Sequence, residues 1–183
     1  RIGVAVSGGA DSMALLYILN ELKGTLACSL CVLHVEHGIR KEASIADMHF
    51  VQETCKALAV PFYVKQENVP LIAAAKKQNV EATARAVRYA FFEDAKQQYG
   101  IDKIAIAHHS DDYAETMLFH LVRGTGVEGL VPMDYSREPG IIRPMLNASR
   151  AEIESSLRRK GIAFCVDETN ADVSYARNLL RHE

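Results

Sequence analysis

At 183 residues with a net charge of −2, the chain has room for one well-buried globular domain and lacks an overall basic footprint for a polyanion. Its 49% hydrophobic and 24% charged residues fit a soluble protein, and no apolar run reaches the length of a membrane span. Any contact with nucleic acid therefore has to come from a local patch or from a region outside this sequence.

Short β-rich runs over residues 2–6, 30–35, 62–64 and 104–107 alternate with helical patterns over 12–22, 43–58, 81–99 and 113–122. This alternation predicts an α/β fold: a doubly wound, mainly parallel sheet with helices on both faces. After Gly124 the pattern loosens through Gly126, Gly129, Pro132, Pro139 and Pro144, and a further helix is expected over 150–160. Residues 1–183 thus read as one domain whose last part, from about 131 to 183, is a connector and carboxyl-terminal extension. A strand begins directly after Arg1 and the sequence stops within a helix-like run, so a longer parent with a downstream region is expected.

The cysteines Cys28, Cys31, Cys55 and Cys165 lack the regular spacing of a disulfide framework, which predicts a reducing cytoplasm. Cys28 and Cys31 form a CxxC with no second pair or histidine at ligand spacing, and read as strand packing.

In open sheets of this class ligands gather outside the carboxyl ends of the strands, and the polar motifs fall there. Ser7-Gly8-Gly9-Ala10-Asp11-Ser12 joins an apolar strand to an apolar helix, where backbone N–H groups can converge on an anion. Asp11 or Ser12 could equally serve as a plain helix cap. With no Gly-Lys-Ser/Thr, the loop lacks the lysine that a γ-phosphoryl transferase needs. The second strand runs into His34-Val35-Glu36-His37-Gly38-Ile39-Arg40, two histidines that could be ordinary polar groups or ligands. Glu81 and Arg85 stand at i,i+4 and suit an exposed helical ion pair. His108-His109-Ser110-Asp111-Asp112-Tyr113-Ala114-Glu115 opens a helix: Asp112 with Glu115 reads as a capping box, while Asp111 and Glu115 share a face suited to Mg²⁺ or an ammonium group. Arg123-Gly124 reads as a helix stop with a left-handed glycine.

These motifs resemble, in order along the chain, those of the PP-loop ATP pyrophosphatases and, within them, the lysidine synthetases. The loop matches SGGxDS; residues 34–40 are similar to HVxHGLR, with Ile39 for Leu; residues 81–89 are similar to EAxARxxRY; residues 107–116 match AHHxDDxxET. Residues 123–130 match RGTGxxGL, Arg143-Pro144-Met145-Leu146 is similar to RPLL, and Asp167 to Asn170 with Arg177 to Arg181 is similar to the DxxN and RNxxR segment.

The resemblance implies ATP cleaved to AMP and pyrophosphate, with Mg²⁺, to activate an anticodon cytidine of isoleucine tRNA (CAU anticodon) for attack by lysine. ATP would be held by Ser7, Gly8, Gly9, Ala10, Asp11, Ser12, His34 and His37. Catalysis would fall to Asp11, Arg85, Asp111, Asp112, Glu115 and His108, with Arg88 behind Arg85 and Asp11 as the Mg²⁺ ligand. Arg177 and Arg181 would contact tRNA. Two alternatives stay open: a tRNA thiolase of the same family, for which Cys28 and Cys31 are the only support, and a non-catalytic ATP-binding module. The oligomeric state is also open, a homodimer included.

Overall fold

The computed structural model describes residues 1–40, 42–122, 124, 133–137 and 140–166. Strand β1 (Ile2–Ala5) leads to helix α1 (Ala10–Leu22), β2 (Leu30–Glu36), α2 (Glu42–Ala57), β3 (Phe62–Gln66), α3 (Val69–Lys76) and α4 (Val80–Tyr99). There follow β4 (Lys103–Ala105), α5 (Ser110–Val122), β5 (Ser136–Arg137), β6 (Ile141–Ile142) and α6 (Arg150–Arg159).

The strands form one sheet in the order β3-β2-β1-β4-β6-β5, all parallel except the β5–β6 pair. The expected α/β fold is therefore present, with one antiparallel edge added. From β1 the chain builds outward through β2 to β3, then returns to the other side of β1 to lay down β4. The crevice between the carboxyl ends of β1 and β4 is the topological switch point, where this architecture places its ligands.

Successive side chains on a strand point to opposite faces, and the two cores follow that alternation. Val4, Val32 and Ala105 face a core with Met13, Leu15 and Leu16 of α1, Val51 of α2 and Leu157 of α6. Cys31, Leu33 and Ile104 face the other, against Phe91, Phe92 and Ala95 of α4. Both faces are covered, so the central strands read as nearly continuous apolar runs.

Three elements were not expected. Helix α3 is only eight residues long, capped by the Asn68 side chain accepting from Leu71 N at 3.1 Å and opened by a proline in its first turn. Strands β5 and β6 have two residues each, too few to show a period. Gly124 has φ +72° and its N–H donates to Leu121 O at 3.0 Å, the left-handed stop expected after α5. Among the described residues no helix is long and apolar enough to cross a membrane.

Candidate active site

The loop after β1 folds around one hydroxyl. Ser12 Oγ donates to Gly9 O at 3.0 Å, accepts from Ser7 N at 3.2 Å, and lies 3.2 Å from Ser7 Oγ. Helix α1 begins at Ala10 with Gly9 as its N-cap and no side-chain cap. Asp11 and Ser12 thus sit inside the first turn, and the reading of either as the cap is corrected. The amide groups at the start of α1 are left for an anion.

Gly8 has φ +102°, and a Cβ there would stand 3.3 Å from Cys165 Sγ and 3.4 Å from Val51 Cγ2. Its carbonyl accepts from Cys165 N at 2.9 Å, and Gly9 forms a parallel bridge with Cys165. A strap beyond α6 thereby grips the loop from behind. Burial first, then the neighbouring Asp47, pushes the Cys165 thiol up to about 12, so it is not a thiolate near neutrality.

Beside the loop, His34 is 3% exposed and its Nδ1–H donates to Val6 O at 2.8 Å. It braces the chain just past the end of β1 as part of the wall. Burial lowers its pKa, so the ring is neutral. His37 follows past the strand end. Burial, then Arg88, then His34 lower its pKa to about 4, and its buried Nδ1 has no hydrogen-bond partner among the described residues. Gly38 turns the chain there with φ +66°, and its N–H donates to Glu36 Oε1 at 2.6 Å.

The loop after β4 brings the other half of the site. His109, 2% exposed, stands between three carboxylates: Nε2 lies 3.6 Å from Asp11 Oδ2 and 3.4 Å from Asp112 Oδ2, and Nδ1 lies 3.3 Å from Asp111 Oδ2. Burial alone would lower its pKa, but the bond to Asp11 and the charges of Asp112, Asp11 and Asp111 outweigh it, and the net shift is upward. The ring thus links the phosphate loop to α5 across the switch point.

The capping of α5 also differs from expectation. Asp112 Oδ2 accepts from His109 N at 3.1 Å, so the acid reaching back at the helix start is Asp112 to His109, in place of Glu115 to Asp112. Asp111 turns toward α6, where Oδ2 accepts from Arg150 N at 2.7 Å. The face expected to join Asp111 with Glu115 is occupied by Asp112 with Glu115.

Those two acids line a cavity of about 390 Å³ together with Glu81, Arg85 and Arg88 of α4, His108, Thr116, Met133 and Arg143. Arg85 leans on Tyr89, its guanidinium carbon 4.7 Å from the ring centre and Nη2 donating to the hydroxyl at 3.2 Å. Arg143, 5% exposed, donates from Nε to His108 Nδ1 at 3.0 Å and from Nη1 to Asp134 O at 2.7 Å. Guanidinium, carboxylate and imidazole groups in one cavity suit a ligand with both signs of charge.

His109 and Arg143 belong to this arrangement without having been expected from the sequence. The His-His doublet carried a signal for the first, because adjacent residues leaving a strand face different ways; for Arg143 only the RPLL likeness was available. The expected tRNA contacts Arg177 and Arg181, the residues of 123–130 apart from Gly124, and the segment of 167–170 lie outside the described residues.

Among the described residues no three His, Cys, Asp or Glu side chains converge as a metal cage. One carboxylate beside an anion-binding loop nevertheless fits Mg²⁺, which takes one or two carboxylates and completes its shell with phosphate oxygens and water.

Residues 1–183 match the family model described as the PP-loop domain. The tRNA(Ile)-lysidine synthase of Clostridium acetobutylicum is 42% identical over 181 residues, 99% of this chain and 39% of that protein. That of Geobacter sulfurreducens is 44% identical over 184 residues, 100% of this chain and 39% of that protein. The chain spans about two-fifths of the length of these curated relatives. Two solved structures share the fold: the U34-tRNA thiolase NcsA from Methanococcus maripaludis (TM-score 0.75, 18% identity, 90% of this chain and 58% of that one) and the NH3-dependent NAD synthetase from Campylobacter jejuni (TM-score 0.57, 17% identity, 100% and 78%). The loop after β1, the crevice it opens and the match over the whole sequence lead to one conclusion: the chain belongs to the PP-loop domain family.

Proposed function

We propose that this chain is the adenylating core of a tRNA(Ile)-lysidine synthetase, joining lysine to C2 of the wobble cytidine in the CAU anticodon of isoleucine tRNA. The observation that carries the reading is the link Asp11–His109–Asp112, which sets a phosphate loop against a cavity holding carboxylates and guanidinium groups. The relatives' shared name points to the same substrates.

In this reading the cytosine C2 oxygen attacks the ATP α-phosphorus and pyrophosphate leaves. The amide groups at the start of α1 hold the pyrophosphate, and Arg85 and Arg88 neutralise the charge that develops on the phosphoryl oxygens. Mg²⁺, held beside the loop by Asp11 and the nucleotide, supplies further charge neutralisation when bound. The lysine ε-amine then displaces AMP at C2. Because only a neutral amine attacks, Asp112 and Glu115 would bind the ammonium and accept its proton. A nucleotide in an anticodon loop can be splayed into such a cavity at low cost. Arg177 and Arg181 are assigned to the tRNA backbone.

A thiolase would need a reactive sulfur. Cys31 is fully buried near the start of β2, roughly 16 Å from the strand's far end at about 3.3 Å per residue, and burial raises its pKa. Cys165 touches the loop but is held as a thiol. Pyrophosphate release from ATP by the full-length protein tests the adenylating step: it should require isoleucine tRNA and vanish in Asp11→Ala. Release without tRNA, or none at all, would favour a different acceptor or a nucleotide sensor.

A further inference from the structure

We propose that Arg143 is a positioning residue that fixes His108 as a neutral ring protonated on Nε2, so that His108 serves as a hydrogen-bond donor to a phosphoryl oxygen and never as a base. This rests on the adenylating role proposed above.

An arginine Nε–H can only donate, and guanidinium does not deprotonate in proteins. Its partner, 3.0 Å away, is His108 Nδ1, which must therefore present a lone pair. The ring proton then sits on Nε2, and a second proton on Nδ1 would set N–H against N–H. Arg143 is itself 5% exposed and tied to Asp134 O at 2.7 Å, so it cannot swing away without leaving a buried cation unpaired. Its carbonyl partner sits just before β5, and its own N–H donates to Tyr135 O at 2.8 Å, which anchors both ends of the residue.

The Nε2 edge has no hydrogen-bond partner among the described residues, and His108 lines the cavity. The electrostatics agree. Burial lowers the pKa of His108; Asp112 on α5 opposes this, and Arg143 with Arg85 and Arg88 on α4 adds to it, with a net lowering. A neutral N–H among three guanidinium groups is suited to an anionic oxygen, whereas a base at that point would have to take up a proton beside three cations. The adjacent ring, His109, faces three carboxylates and is shifted the opposite way. The doublet thus divides a ring that faces guanidinium groups from one that faces carboxylates.

The test uses the full-length protein with ¹⁵N in its histidine rings. Long-range ¹⁵N–¹H correlations, with the His108 signal assigned by its loss in His108→Gln, should show an Nε2–H ring that titrates below the ordinary histidine range. In Arg143→Met the tautomer should become mixed and titration should return toward the ordinary range. For tRNA-dependent pyrophosphate release, His108→Ala should lose on the order of 10²–10³-fold in kcat with little change in the KM for ATP. His108→Gln, whose amide offers an N–H near the Nε2 position, should recover most of that loss. Should Arg143→Met fail to fold, the wild-type tautomer and the Ala and Gln variants still decide. An Nδ1–H ring, an imidazolium that titrates and sets an acid limb in kcat, or a Gln variant no better than Ala would overturn the proposal. If lysine incorporation fails while the ring keeps its Nε2 proton, the positioning role stands and only the substrate reading falls.

Discussion

At the scale of single residues, charge state follows from what each ring faces. His37 is held neutral by burial and by Arg88, with its pKa lowered to about 4. A histidine whose folded pKa lies below its unfolded value contributes stability that is present above the unfolded pKa and lost as pH falls toward the folded one. The protein should therefore lose stability between about pH 6.5 and pH 4, and His37→Gln should flatten that part of the curve in urea melts at stepped pH; an unchanged acid limb would remove His37 as its source. Gly8 makes a second residue-scale case. At φ +102°, with Cys165 Sγ and Val51 Cγ2 close to any added Cβ, Gly8→Ala should cost about 1–3 kcal/mol and raise the KM for ATP. The loop residues were legible because glycine, serine and aspartate stand together where an apolar strand gives way to an apolar helix, although a plain helix cap fitted Asp11 and Ser12 equally well. The burial of His34 was not, since a period of two tells which face a residue takes and nothing about the Val6 carbonyl waiting there.

Among the elements, α5 is unusual: it buries none of its residues, and Met117, Leu118, Leu121 and Val122 remain exposed. Its start is held by polar links: Asp112 to His109 N, Asp111 to Arg150 N, and Ser110 N donating to Ala148 O at 2.9 Å. Asp111 and Asp112 are consequently expected to separate in experiment. Asp111→Ala removes the acceptor at the start of α6 and should lower stability by about 1–3 kcal/mol, while Asp112→Asn should spare more stability and lose more kcat. The reverse ranking, read from chemical melts and single-turnover kinetics, would return Asp111 to the cavity. The strap that bridges Gly9 makes a related point about the thiol it carries. With its pKa pushed up to about 12, Cys165 should resist alkylation by iodoacetamide at pH 8 in the folded protein and react freely once unfolded. The long periodic helices were legible from spacing alone. The strap was not, because a bridge between Gly9 and Cys165 joins distant parts of the chain and leaves no local period.

Over the whole molecule, the order β3-β2-β1-β4-β6-β5 is what turns separate motifs into one site. The chain's return across β1 brings the loop at Ser7 to Ser12 beside His108 and His109, a juxtaposition that alternating strands and helices already implied. The two-residue strands β5 and β6, which bring Arg143 to the cavity, carried no such signal. The arrangement depends on both cores. Phe92, 1% exposed in the α4 core, should cost about 3–5 kcal/mol on truncation to alanine, measured as a fall in melting temperature. That variant should lose activity only in step with folding, unlike the site variants. The loop and the cavity are proposed to serve one two-step reaction on tRNA. The direct measurement is ATP-dependent incorporation of labelled lysine into unmodified isoleucine tRNA with a CAU anticodon, by the full-length protein. Incorporation that Asp11→Ala and Asp112→Asn each abolish is the predicted result. Pyrophosphate release on the same tRNA with no lysine incorporated would contradict this and leave an adenylating core with another nucleophile.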